Sequence, residues 1–265
     1  HPPRRCVSPS GEGGDGVRRE EIKRHKVLDL FSGIGGFSLG LENTGKFETT
    51  AFCEIESYPR RVLSKHWPNT PCYLDVTKLK GKEVGTVDLI TGGFPCQDLS
   101  SAGKMQGLRE GTRSGLFRHM LRLAEECYRP FILFENVSRI LSGPTETKGE
   151  WFNNFLWSLA QIGYDAEWFC ISAASVGAPH LRERTWAVAY PHETQLQRGS
   201  ISLRVYKEHT NFSNSCWGKD KPGVVRTSNG IPSQMDRLEC LGNAVVPKIT
   251  EIIGFALDEA LKNAA

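Results

Sequence analysis

Short apolar runs alternate with longer amphipathic stretches from Lys26 onward. Residues 27–31, 49–54 and 72–76 each read as a strand, with helices over 34–41 and through Arg61, Val62 and Leu63 between them. The runs at 86–90 and 130–134 have the apolar character of strands buried on both faces. A helical period over 151–162 precedes strand-like runs at 168–172 and 185–189, and a last helix is expected over 247–262. Strands separated by helices predict an α/β fold, a mostly parallel sheet with right-handed crossovers and helices on both faces.

Two segments break this alternation. Residues 1–25 are rich in Gly, Pro, Arg and Glu without an apolar period, and are expected to be a disordered tail. Residues 190–240 turn to Ser, Asn, Arg, Lys and Gly with isolated aromatics, and read as a short loop-rich insert. The expected organisation is therefore one main domain, 26–189 with 241–265, interrupted by that insert. No internal repeat is visible.

Composition narrows the class. The chain has 265 residues, of which 39% are hydrophobic, and its mean hydropathy is −0.36. No apolar run approaches the roughly 18 residues of a membrane helix. The first residues lack the apolar core of a secretory signal. Eight cysteines are scattered without C-x-x-C spacing, so neither a zinc site nor a redox pair is expected, and reduced thiols suit a cytoplasmic protein. The formal charge of +3 is compatible with a basic cleft but does not demonstrate one.

The chemistry collects at the ends of apolar runs. One leads into Gly92-Gly93-Phe94-Pro95-Cys96-Gln97, the other into Glu135-Asn136-Val137. Reactive groups gather at the carboxyl ends of parallel strands. A sulfur and a carboxyl group there suit attack on an electron-poor ring with acid assistance. Phe31-Ser32-Gly33-Ile34-Gly35-Gly36 forms a glycine turn between strand and helix, able to approach a ligand closely. It is not the dinucleotide fingerprint, because Ser38 stands where the third glycine belongs. Glu54 ends the second strand and suits a ribose diol, while Asp75 follows the third and could accept from an exocyclic amine. Arg182 and Arg184 alternate on a strand-like run and share one face. The long polar stretch 97–113, with glycine hinges, exceeds the about 12–15 residues beyond which loops tend to be functional or disordered.

These blocks, taken in order, resemble the bacterial and phage DNA (cytosine-5)-methyltransferases. Asp29 to Gly36, Pro95-Cys96-Gln97, Glu135-Asn136-Val137, Arg182-Glu183-Arg184 and Gly242-Asn243-Ala244-Val245-Val246-Pro247 carry the likeness. It runs from Lys26 to Ala189 and resumes at Leu241. The resemblance implies a Rossmann-like, S-adenosyl-L-methionine-dependent methyltransferase domain with a small target-recognition insert. Phe31 would stack on the adenine, Glu54 bind the ribose and Asp75 the adenine amine. Asp29, Gly33, Gly35, Pro95 and Leu116 would also belong to the cofactor pocket, closed by Asn243.

The same resemblance implies that Cys96 adds to carbon 6 of a flipped-out cytosine and that Glu135 shares a proton with ring nitrogen 3. Asn136 would orient that carboxyl, Arg184 touch the cytosine carbonyl and Arg182 support the nucleophile. His180 departs from the glutamine of many relatives and puts one polar contact in doubt. Duplex DNA is the implied partner, with Gln97, Ser100, Lys104, Arg109 and Arg113 on a closing lid. Arg198, Arg204, Lys207, Lys219, Lys221 and Arg226 of the insert would meet phosphates or base edges. A monomer is expected, with a cognate restriction endonuclease as a further partner. Two alternatives stay open: a tRNA cytosine-5 methyltransferase, whose branch shares the cysteine block, and a DNA-binding relative without turnover.

Overall fold

The computed structural model describes residues 23–94, 116–143, 147–194, 196–197, 199–213 and 243–264. Seven strands form one sheet: β1 His25–Leu30, β2 Phe47–Cys53, β3 Cys72–Tyr73, β4 Leu89–Gly92, β5 Phe131–Val137, β6 Tyr164–Ser172 and β7 Glu183–Pro191. The helices among the described residues are α1 Gly36–Asn43, α2 Ser57–His66, α3 Gly81–Val84, α4 Phe117–Glu126, α5 Glu150–Gln161, α6 Ser200–Ser213 and α7 Pro247–Ala264.

The sheet order is β3-β2-β1-β4-β5-β7-β6. The first five strands pair in parallel, and β7 runs antiparallel to both β5 and β6. The mostly parallel sheet expected from the alternation is therefore present. Strand order reverses between β1 and β4, which opens a crevice above their carboxyl ends. The glycine turn leaves β1 at this crevice, and Gly93 leaves β4 beside it.

Each face of the sheet buries its own apolar layer. Phe117, Met120 and Leu123 of α4 pack with Trp151, Phe155 and Leu159 of α5 against Leu28, Leu30, Ile90 and Ile132. On the other face Phe37 and Leu41 of α1 and Ile249, Ile252, Ile253 and Leu257 of α7 cover Val27, Leu89, Leu133 and Val188. The edge strand β6 begins four residues before the expected 168–172 run. Its exposed Asp165 and buried Glu167 interrupt the apolar pattern there.

The expected tail lies largely outside the described residues. The segment read as loop-rich differs from expectation, because it holds the 14-residue helix α6. Ile201 and Val205, one turn apart, bury against the α7 face of the sheet. Much of this helix's support is remote. Glu167 of β6 accepts from the Gly199 amide at 3.0 Å and from the Ser202 amide and hydroxyl, each at 2.8 Å. A buried carboxylate thus occupies the positive end of α6.

Candidate active site

The glycine turn is built by backbone constraint. Phe31 adopts a left-handed φ of 52°, a conformation that costs a bulky residue about 1–3 kcal/mol. It leaves the ring half-buried at the crevice instead of continuing β1. Gly35 has φ 85°, and a Cβ there would stand 2.7 Å from the Trp67 ring. Trp67 is fixed in turn by donating its indole N–H to Glu42 at 2.8 Å. The residue after β2, Glu54, accepts from the Gly33 amide at 2.7 Å and the Glu56 amide at 2.8 Å. Its carboxylate is thereby locked against the turn, where the sequence places a ribose-binding acid.

Asp75 sits beyond β3, and its Oδ1 accepts from the Thr77 amide at 2.9 Å and hydroxyl at 2.7 Å. The Thr77 hydroxyl and amide, with Lys78 nearby, hold the Asp75 carboxyl below its usual range. Exposed Ile55 and Leu74 follow Glu54 and Tyr73 directly and place apolar surface beside the two acids. Sequence reasoning missed both, although an apolar residue next to each strand-end acid was a readable signal.

Asp29 has no exposed surface. Oδ2 accepts the Ser38 hydroxyl and Oδ1 the Thr91 hydroxyl, each at 2.8 Å. Burial pushes its pKa up to about 7 against those hydrogen bonds. Asp29 meets the glycine turn through its backbone carbonyl, which accepts the Ser32 hydroxyl at 2.6 Å, while its carboxyl reaches Ser38 and Thr91. Leu116 packs half-buried on the α4 side of the core, and Asn243 opens the final segment with its carbonyl accepting from Arg182 Nη2 at 3.2 Å.

The acid end of the site is the most constrained. Glu135 lies within β5, beside the terminus of β4, and is buried. A Cβ on Gly93 would come within 3.1 Å of Glu135 Oε2, so a side chain there would press this carboxyl from its place by a few tenths of an ångström. Arg184 Nε stands 3.0 Å from Glu135 Oε1. That contact is a close ion pair without hydrogen-bond alignment, since Oε1 gains no well-directed donor among the described residues. Desolvation pushes the Glu135 pKa above its usual value, outweighing the opposing pull of Arg184 and Arg182. Burial and repulsion from Arg184 lower the pKa of Arg182. The two arginines thus share the face that alternation predicts, and that face is the one Glu135 occupies.

Asn136, next to Glu135, reaches the end of the β4 segment. Its Nδ2 donates to the Phe94 carbonyl at 3.5 Å, and its Oδ1 accepts from the Val137 amide at 2.8 Å. It fixes the chain immediately before Pro95. Pro95, Cys96, Gln97, Ser100, Lys104, Arg109 and Arg113 lie outside the described residues, as do Arg198, Lys219, Lys221 and Arg226. Arg204, expected to meet DNA, pairs with Glu259 of α7. Burial pushes the thiols of Cys53 and Cys127 up to about 12 and 11, which leaves neither of them a competing nucleophile.

A cleft of about 310 Å³ lies between the glycine turn and Arg182, lined among others by Ile34, Gly35, Leu39, His180 and Val245. A more open groove of about 570 Å³ is bordered by Thr77, Lys78, Lys80, Lys82 and Arg122, beyond Asp75.

Glu135 thus stands beside Arg184 and near Arg182, on the strand next to β4. The family model for C-5 cytosine-specific DNA methylases matches residues 25–221. The chain belongs to that family. Among curated relatives it is 36% identical over 223 residues to the type II methyltransferase M2.BsuMI of Bacillus subtilis, covering 78% of this chain and 55% of the relative. It is 35% identical over 186 residues to M.Sau3AI of Staphylococcus aureus, covering 65% and 45%. The chain thus spans about half the length of the curated relatives it matches. Among solved structures it resembles a prophage-encoded E. coli protein described as a DNA modification methyltransferase, with a TM-score of 0.53 and 26% identity over 67% of this chain and 50% of that one.

Proposed function

We propose that the chain transfers a methyl group from S-adenosyl-L-methionine to carbon 5 of a cytosine flipped out of duplex DNA, through a covalent bond to Cys96. The observation that carries this reading is the state of Glu135: buried, raised in pKa, and set between Arg184 and Gly93. A carboxyl whose pKa is raised by burial is more readily protonated, and its proton can pass to ring nitrogen 3 as sulfur adds to carbon 6.

The Cys96 thiolate supplies the electron pair of the new carbon–sulfur bond. The ring's 5,6 π electrons shift toward nitrogen 3, which takes the Glu135 proton, and carbon 5 becomes nucleophilic in the resulting enamine. S-adenosyl-L-methionine, when bound, offers its methyl group as the electrophile. Loss of the carbon 5 proton to water, expulsion of the thiolate and return of the nitrogen 3 proton to Glu135 then restore the neutral aromatic ring. Arg184 and Arg182 keep the base-facing end of the pocket positive while Glu135 exchanges its proton. Phe31, Glu54 and Asp75 supply a stacking ring and two fixed acceptors, which fit an adenine and a ribose diol.

Duplex DNA is the proposed substrate, supported by the match to the DNA methylase family. The target-reading segment is proposed over 190–240, with α6 inside it and its His209 2.9 Å from Ser175 Oγ. Arg198, Lys219, Lys221 and Arg226 are its proposed phosphate or base contacts, and Gln97, Ser100, Lys104, Arg109 and Arg113 those of the loop after Cys96. A cognate restriction endonuclease and a monomeric state complete the reading.

Duplex DNA carrying 5-fluorocytosine is expected to leave a covalent adduct on Cys96 when methyl donor is present. Absence of an adduct from a preparation that methylates ordinary DNA removes the covalent path. Tritiated methyl incorporation into tRNA but not into duplex DNA would instead favour the RNA-directed reading.

A further inference from the structure

Asp29 is the most fully enclosed carboxyl group near the crevice, and its two oxygens reach different elements. Ser38, which donates to Oδ2, belongs to the first turn of α1. That helix starts after Gly35, which contributes no side-chain cap. The carboxyl from β1 does that work, placed where the helix dipole favours negative charge. Thr91, which donates to Oδ1, lies on β4 directly across the sheet from Asp29. Thr91 is followed at once by Gly92 and Gly93, the residues that lead to Cys96. One side chain therefore grips both walls of the crevice, the turn that starts at Phe31 and the strand that delivers the nucleophile. The nearest further charge acting on it is that of Glu54, which the Gly33 amide holds to the same turn.

Neither wall needs this group for packing. An apolar residue of similar volume would remove the desolvation penalty of a buried acid, which often gains stability. Fixed geometry between two elements is what a pair of directed hydrogen bonds adds and an apolar contact does not.

We propose that Asp29 is a positioning residue that couples the cofactor turn to the nucleophile strand, so that each wall of the crevice sets the other through the Ser38–Asp29–Thr91 clasp. The proposal rests on the methyltransferase reading of the site. Its consequence is that Thr91, which lies on the nucleophile strand, controls cofactor affinity.

The test uses the full chain with Thr91→Val, Ser38→Ala and Asp29→Asn, and the Asp29→Asn/Thr91→Val double variant. Two quantities are read: the Kd for S-adenosyl-L-homocysteine without DNA, and the cofactor-free exchange of tritium from carbon 5 of cytosine in duplex DNA, which reports addition of Cys96. Thr91→Val is expected to weaken cofactor binding about tenfold, within the usual range of coupling between sites. It should slow tritium exchange by a similar factor. The double variant should bind about as weakly as Asp29→Asn alone, because both changes cut one clasp.

Unchanged cofactor affinity in Thr91→Val, even with a lowered unfolding temperature, overturns the coupling and leaves a purely structural bond. Multiplying effects in the double variant overturn it as well. A parent chain that neither binds the homocysteine compound nor exchanges tritium would instead bring down the methyltransferase reading itself, and the clasp's role with it. Thr91→Val is nearly isosteric, so the test stands even where Asp29→Asn folds poorly.

Discussion

Burial of Glu135 has a sign that can be measured. Its folded pKa lies above the usual 4.5 because desolvation outweighs the two nearby arginines. The folded chain then holds a proton that the unfolded chain releases, so stability falls as pH rises from about 4.5 to the raised value. Glu135→Gln removes that slope, and its unfolding midpoint should gain on the parent's as pH increases. The same variant should slow methyl transfer roughly 10²- to 10⁴-fold and lose the alkaline limb that an acid catalyst gives the rate. Asp29 obeys the same rule between 3.8 and about 7, so Asp29→Asn should also gain on the parent over that window. Parallel thermal melts of parent and variants across pH check both. Gly93→Ala provides a steric counterpart. Its Cβ would stand 3.1 Å from Glu135 Oε2, so turnover should fall about tenfold or more while cofactor Kd stays within a few fold.

The parallel strands follow local rules and were legible in the sequence, as were α1, α2, α5 and α7, whereas α3 and α4 were not among the expected helices. Apolar runs gave β4 and β5, and a helical period gave α5 and α7 nearly at their observed bounds. α6 was not legible, because its apolar positions are few and its N-terminal cap comes from Glu167, a residue of another element. The role of Glu167 can be tested by Glu167→Ala, which strips Gly199 and Ser202 of their acceptor. We expect a loss of about 1–3 kcal/mol in urea unfolding. If α6 carries a target-reading segment to the rim, duplex DNA binding should weaken more than cofactor binding in the same variant. Equal losses would show that α6 merely stabilises the sheet.

At the scale of the whole molecule, the last segment returns from the far end of the chain to complete the first domain. Ile249, Ile252, Ile253, Ala256 and Leu257 of α7 are almost wholly buried against α1 and the sheet. Each large side chain of this kind contributes roughly 1.5–3 kcal/mol. Their joint loss approaches the about 5–15 kcal/mol that holds a domain together. A chain ending before Asn243 is therefore expected to be insoluble or to melt without a cooperative transition, as circular dichroism would report. Arg182 would lose its Asn243 partner at the same time, so the final segment serves both core and site.

The sequence by itself determined the parallel strands, most of the helices and which reactive groups stand at the strand ends, because hydrophobic period and turn chemistry act between near neighbours. It placed Glu54, Glu135, Arg182 and Arg184 along the chain without revealing their state. Only the tertiary structure decided that Glu135 is desolvated beside Arg184 and that Asp29 turns inward to Ser38 and Thr91. It also decided that Asn136 holds the Phe94 carbonyl. A pKa or a hydrogen bond is set by whatever dielectric and partners lie within a few ångströms, and in this sheet those partners come from strands far apart in the chain.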